Sequence, residues 1–383
     1  MRTFWLLTGY FLLMLLVHTT SPYNAEPPLE LLRENFITPR ELFYVRNHGD
    51  VPEINAQTFR LVVNGMVERE LELSLDTLLN DFPKRTVMAT LQCAGNRRDQ
   101  LMALKEIPGE VPWQAGAIGN AFWSGVPLKE ILNAAGIKIG AQYVAFMGAE
   151  EVIRHGENVG FGGSIPLDKA LGAEVLLAYE MNGKPLEPIH GFPLRVIAPG
   201  YIGARSVKWL TQITVQAFSS KNYFQAHAYQ LFPPQTNAEN ADWNAGLQLS
   251  ELSVNCVITS PREGEIVSGE VLAQGYAITG GGRKIARVDV AARNLFTGRA
   301  DTTQDVSSDG GNSWTTAQIT QGDQDWAWTF WEARLKVASG EYEIIARAFD
   351  SASNTQPEEA RHVWNFKGYM NNAWHRVKVK GKS

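Results

Sequence analysis

The sequence predicts a mixed α+β domain followed by an immunoglobulin-like β-sandwich, and three observations lead to that reading. Between Glu41 and about Phe218, short apolar runs such as Leu61-Val62-Val63, Tyr143 to Phe146 and Leu194 to Ala198 alternate with helical patterns such as Leu128 to Ala135. From Ser253 onward, strand-like runs at Val254 to Ile258, Ile266-Val267, Val271 to Ala277, Ile285 to Val290, Ala333 to Val337 and Tyr342 to Phe349 are separated by turn clusters, which is the spacing of a sandwich. Between these regions, Tyr229 to Asn244 carries Pro233-Pro234 and few apolar residues, as a linker does. The expected domains are therefore residues 22–240 and 250–383, with residues 1–21 set apart.

The remaining segments have local readings. Pro22 to Leu32 is proline-rich and then amphipathic, an arm leading into the first domain. Asp309-Gly310-Gly311-Asn312 ahead of Trp314 reads as a hairpin turn, because Gly and Asn tolerate positive φ. Gly280-Gly281-Gly282 reads the same way, since it follows no strand-to-helix turn of the nucleotide-binding kind. Phe4 to Val17 is an apolar run preceded by Arg2, too short for a stable membrane span but suited to a signal-peptide core. A signal, an anchor, a short buried element and a mispredicted start all fit it, so the compartment stays open.

Composition narrows the function classes. With 383 residues, 44% hydrophobic and 20% charged, the chain can bury two or three cores and is not a disordered sequence. A formal charge of −5 supplies no positive field for counterion release, which argues against a nucleic-acid partner. Only two cysteines occur, Cys93 and Cys256, in different predicted domains, so a disulfide framework is excluded.

Cys93 stands out because Leu91-Gln92-Cys93-Ala94-Gly95-Asn96-Arg97-Arg98 places a thiol within five residues of two guanidinium groups. Nearby cations favour the thiolate, the form that binds a soft metal or attacks an electrophile. A lone cysteine is more often a buried structural residue, so the segment needs support from elsewhere in the chain.

That support is a resemblance. The cysteine segment resembles the signature of the sulfite oxidase and assimilatory nitrate reductase superfamily of molybdenum enzymes. Phe43-Tyr44-Val45-Arg46-Asn47-His48 looks like the family's first cofactor-binding strand and loop. His190-Gly191-Phe192-Pro193-Leu194-Arg195 leads into Gly203-Ala204-Arg205-Ser206-Val207-Lys208-Trp209-Leu210 with the family's spacing, and Met370 to Val377 resembles the end of its dimerisation domain. Together these cover the chain from about Pro22 to Lys380.

The resemblance implies a sulfite-oxidase-type fold and a molybdenum–molybdopterin cofactor, with Cys93 as the one protein ligand to the metal. It assigns the molybdopterin to Tyr44, Asn47, His48, His190, Arg195, Ser206, Lys208 and the backbone at Val207. Glu150 stands where an aspartate is common. These residue types suit a phosphate tail and a polar ring system. Arg46, Arg98 and Arg376 match the pocket arginines, whose planar forks fit small oxyanions. Trp113 matches a pocket tryptophan, with the stretch from Cys93 one residue longer than usual.

Two positions separate sulfite from nitrate chemistry. Tyr229 resembles the catalytic tyrosine of sulfite oxidases, where nitrate reductases tend to have asparagine. Ala373-Trp374-His375-Arg376 also looks like the sulfite branch, whereas Asn371-Asn372 occurs in the nitrate branch as well. The implied activity is oxidation of sulfite to sulfate, with electrons passed to a separate acceptor, cytochrome c or oxygen, since no haem-binding or flavin motif is visible. A homodimer through the second domain is expected. The rivals are a nitrate reductase, a sulfoxide-reducing molybdenum enzyme, which would usually lack the sandwich, and a non-catalytic sandwich protein, which would leave the cysteine segment unexplained. A molybdenum protein folding before export would be expected to need a twin-arginine pair ahead of the apolar run, where only Arg2 stands. Ala291 to Gln304 has no counterpart in the family pattern.

Overall fold

The computed structural model describes residues 15–295 and 314–382. The Asp309–Asn312 turn, most of the Phe4–Val17 run and most of the Ala291–Gln304 segment lie outside the described residues. The chain divides into two compact units that are interleaved in sequence: Met1–Pro27, Ile37–Glu251 and Asn365–Tyr369 make one, while Pro28–Phe36, Leu252–Trp364 and Met370–Ser383 make the other.

The first unit is built on two sheets. One has five strands in the order Gly162–Pro166, Tyr143–Gly148, Leu210–Gln216, Arg60–Gly65 and Leu71–Ser74. Alternation is visible in Tyr143–Gly148, where Val144 and Phe146 are buried. The other sheet runs Lys184–Pro185, Leu176–Met181, Ile118–Pro127 and Arg85–Gln92, with Arg195–Ile197 also pairing with Leu176–Met181. Ile118–Pro127 has neighbours on both sides and is buried along nearly its whole length, as a central strand should be.

The predicted helix is an α-helix from Leu128 to Ala135. Its buried residues, Leu128, Ile131, Leu132 and Ala135, fall at the spacing of one helical face. Gly136 ends it at φ +71°, a conformation that glycine adopts without a Cβ penalty.

Arg85–Gln92 positions the site. It starts exposed and becomes fully buried toward its last residues, so Cys93 emerges from the sheet into the interior. Only the first part of the N-terminal arm, up to Pro27, is folded into this unit, while residues 28–32 belong to the other. Leu16–Thr20 pairs antiparallel with Tyr23–Glu26, and Ala25 exchanges backbone hydrogen bonds with Val45 at 3.0 and 2.8 Å. At the far end, Tyr229 is buried and Gln230–Leu231 pairs with Leu247–Gln248. The start of the proline-containing stretch is thus packed structure rather than free linker.

The second unit is a β-sandwich. Asn255–Ser260, Glu270–Ile278, Thr329–Lys336 and Gln318–Gln321 form one sheet, and Glu265–Ser268, His375–Lys382, Gly340–Asp350, Ile285–Asn294 and Thr315–Thr316 form the other. Alternate residues of both sheets, including Cys256, Val288, Trp331, Ile344 and Val377, meet in one core. Gly281 and Gly282 have positive φ as expected, but their turn joins Glu270–Ile278 to Ile285–Asn294 in the opposite sheet and is therefore not a hairpin.

Among the described residues no helix is long and apolar enough to cross a membrane.

Candidate active site

A cavity enclosing about 590 Å³ of space between atoms, its open mouth included, lies in the first unit where Cys93 leaves its strand. Its wall contains Tyr44, Arg46, His48 and Cys93 from the early segments, Glu150 from the loop after Tyr143–Gly148, and His190, Arg195, Ser206, Lys208 and Tyr229 from later ones. Ten residues singled out in the sequence therefore converge from positions almost two hundred residues apart.

The backbone on either side of Cys93 is fixed. Its N–H donates to Ala117 O at 2.9 Å, and Ala117 N donates to Asn96 Oδ1 at 3.1 Å. The loop that carries Ala117 is held by Glu26, which accepts from Gln114 N at 2.7 Å and Gly116 N at 2.8 Å while pairing with His18 at 2.6 Å. A Cβ at Gly116 would lie 2.5 Å from Pro27 O, so this close approach requires glycine. No local motif marked Glu26 or His18 in the sequence.

The thiol does not behave as its sequence neighbours suggested. Burial pushes the Cys93 thiol up, and the pull of Arg98 and Arg46 toward the thiolate does not overcome it. Arg97 contributes little because its backbone is left-handed (φ +64°) and its guanidinium turns to Gln100 Oε1 at 2.9–3.1 Å. The sulfur accepts a hydrogen bond from Gly95 N at 3.4 Å.

Around the thiol the wall is rich in donors. Lys208 Nζ donates to Asn47 Oδ1 and, at 3.0 Å, to Ile189 O, and burial pushes its pKa down to about 7. Arg195 donates to His190 O at 2.8 Å and Ser206 O at 3.2 Å, and burial lowers it to about 10. Glu150 accepts from His48 N at 2.7 Å and Gly49 N at 2.9 Å, so the longer side chain anchors the His48 loop. Ser206 Oγ accepts from Ala198 N at 3.1 Å, and Val207 O accepts from Val196 N at 2.8 Å. His48 Nε2 lies 2.9 Å from the Tyr229 hydroxyl, with the ring stacked on Phe161 at 4.3 Å.

Burial pushes His190 down to about 3, with Lys208 and Arg195 adding to it, and His48 is lowered well below its ordinary value for the same reason. Both stay neutral in the folded protein at pH values where they would be protonated in the unfolded chain. The unfolded state then binds more protons, so the cofactor-free protein should lose stability as pH falls from about 6.5 toward 3, by up to ~1.4 kcal/mol per pH unit for each histidine. His190→Gln should flatten that profile. Urea-unfolding midpoints that fall equally steeply with acid in variant and parent would contradict the assignment.

Not every singled-out residue lines the cavity. Trp113 is fully buried, with His18 edge-on at 4.9 Å and its backbone O accepting from Asp99 N at 3.1 Å. Arg98 is buried beside it, with Nη1 donating to Val111 O at 2.8 Å and Nε to Lys367 O and Gly368 O at 3.2 and 3.1 Å. A Cβ on Gly95 would fall 2.6 Å from the Arg98 guanidinium, which explains that glycine. Arg376 belongs to the sandwich unit, where Nη1 donates to Glu343 at 2.8 Å and Nη2 lies 3.5 Å from Glu358. The late contribution to the first unit comes instead from Asn365–Tyr369, with the Tyr369 ring stacked on Tyr229 at 5.1 Å and beneath the Arg98 guanidinium at 5.0 Å.

The chemistry of the lining fits an anionic cofactor. Asn47 Nδ2 and Arg195 Nε are buried donors without a partner among the described residues, and buried donors are normally satisfied. Among the described residues no group of three or more His, Cys, Asp or Glu side chains could hold a metal. A metal at Cys93 would therefore draw its other ligands from a bound group.

Comparison with known proteins agrees with this geometry. The family model described as an oxidoreductase molybdopterin binding domain matches residues 48–224, and that of the Mo-co oxidoreductase dimerisation domain matches 247–294 and 296–382. The chain is 42% identical to mitochondrial sulfite oxidase of Homo sapiens over 95% of its own length and 65% of the human protein's. It is 39% identical to sulfite oxidase of Arabidopsis thaliana, covering 95% of this chain and 93% of the plant protein. The sulfane dehydrogenase SoxCD of Paracoccus pantotrophus superposes with a TM-score of 0.75 at 26% identity, covering 94% of this chain and 85% of that one.

Proposed function

The chain belongs to the sulfite oxidase family of molybdopterin-binding oxidoreductases, and on that premise we propose that it oxidises sulfite to sulfate and passes the electrons to a separate acceptor, cytochrome c or oxygen. The observation that carries the reading is one buried thiol, Cys93, sharing a donor-lined cavity with Arg46, His48 and Tyr229. When bound, a molybdenum–molybdopterin group would supply the two-electron chemistry that adds an oxygen atom to sulfite.

The rest falls to this chain. Cys93 Sγ would hold the metal. Arg195, Lys208, His48, His190 and Asn47 would hold the cofactor's phosphate and ring atoms, with Tyr44, Glu150 and Ser206 completing the wall and the Val207 backbone following Ser206. Arg46 would bind an oxygen of the incoming anion, and Trp113 and Arg98 would close the pocket behind it. The Tyr229 hydroxyl would donate to a substrate oxygen, with its position set by His48. We propose that the sandwich unit, which carries Arg376, forms the homodimer.

Molybdenum analysis followed by sulfite-dependent reduction of cytochrome c tests the activity, and light scattering tests the dimer. Protein that holds molybdenum and reduces nitrate without oxidising sulfite would overturn the substrate; a fully active monomer would overturn the assembly.

A further inference from the structure

We propose that Glu110 is a built-in counter-ion that competes with the oxyanion substrate for Arg98, and that Lys367 sets how strongly it competes; this rests on the sulfite pocket proposed above. Glu110 lies in Pro108-Gly109-Glu110-Val111-Pro112, on the loop before Trp113. Arg98 is 2% exposed, and backbone carbonyls of Val111, Lys367 and Gly368 hold its Nη1 and Nε. Its Nη2 faces Glu110 Oε2 at 3.5 Å, an ion-pair distance too long for a good hydrogen bond. The other carboxylate oxygen of Glu110 is held by Lys367 Nζ in a closer contact.

One carboxylate is thus shared between two cations, tightly with the lysine and loosely with the arginine. The loose side is the exchangeable one. A doubly charged oxyanion reaching Arg98 takes over its Nη2 edge while Glu110 remains with Lys367, and the carbonyls keep the guanidinium plane in place. A singly charged anion gains less from the same exchange and is rejected, so the carboxylate acts as a repulsive element that sharpens selectivity. The charge of Glu110 also reaches the site: it raises Tyr229 and Tyr369 alongside burial, and it favours the charged form of Arg46.

Glu110 acts through Arg98 and is a positioning residue. Removing its charge with Glu110→Gln should lower the sulfite KM by roughly three- to tenfold with kcat little changed, the split expected when binding alone is altered. Chloride and nitrate should become effective inhibitors, and Glu110→Asp should behave like the parent. Lys367→Met frees the carboxylate for Arg98 and should raise the sulfite KM by a similar factor. The thermal midpoint of the holoenzyme should rise more steeply with added sulfate in Glu110→Gln than in the parent, which reads anion binding apart from turnover. A structural role would move both variants the same way, so a raised KM in both would overturn the proposal. Arg98→Gln separates this failure from a failure of the pocket itself: unchanged sulfite KM and sulfate response in Arg98→Gln would remove the pocket reading as well.

Discussion

Cys93→Ser is expected to lower sulfite turnover by roughly a thousandfold or more, the scale of loss when one member of a unit that works together is removed. A hydroxyl is a poor ligand for a site that calls for a soft thiolate. The fold should survive, because the backbone around residue 93 is held by Ala117 and, through its loop, by Glu26, none of which depends on sulfur. Molybdenum content should fall with activity while the thermal midpoint of the cofactor-free protein changes little. Cys256 supplies the control. It is buried in the sandwich core, so Cys256→Ala should cost about 1 kcal/mol of stability and leave sulfite oxidation intact. Wild-type turnover in Cys93→Ser would remove the proposed site.

The contrast between the two cysteines was legible in the sequence, since one sits in an alternating strand and the other beside arginines. The helix at Leu128–Ala135 was also legible, because its apolar residues repeat at helical spacing and no proline or glycine interrupts them. So were six sandwich strands. His375–Lys382 is a further strand whose exposure alternates, but only Val377 and Val379 mark that period with apolar side chains, too few to stand out in the sequence. The interleaving of the units was not visible either. Asn365–Tyr369 joins the first unit through contacts that span more than 250 residues, such as Arg98 Nε to Gly368 O, and local pattern carries no trace of them.

The site divides along the same line. Ten of the cavity's side chains, Cys93 among them, could be read from motifs, but Trp113, Arg98 and Arg376 do not line the cavity, and how the ten are charged could not be read at all. The two arginines next to the thiol suggested a thiolate, yet one of them turns away and burial outweighs the other. Glu26 fixes the Gln114–Gly116 loop from a segment that looked like a mere arm. Desolvation and backbone direction are properties of the folded chain, and both decide the chemistry here.

Arg46→Gln should raise the sulfite KM by about ten- to a hundredfold, since a guanidinium on a charged oxyanion makes charge-assisted hydrogen bonds of roughly 1.5–3 kcal/mol and each 1.4 kcal/mol is a factor of ten. Arg46 is the pocket arginine that lines the cavity itself, whereas the Arg98 guanidinium is largely committed to backbone carbonyls. Arg46 itself donates to Asn47 O, next to His48, and at 3.2 Å to Asn24 Oδ1 on the strand Tyr23–Glu26. Glutamine keeps some polar contact there but loses the charge and the fork, so cofactor retention should persist while anion binding weakens. Tyr229→Phe provides the second arm. It keeps the ring stacked on Tyr369 and removes only the hydroxyl that faces His48 Nε2 at 2.9 Å, so it should depress kcat and raise KM together, without loss of molybdenum. Steady-state constants normalised to metal content decide the matter: if Arg46→Gln leaves the sulfite KM within a factor of about two of the parent, the cavity beside Cys93 does not bind the anion through this arginine.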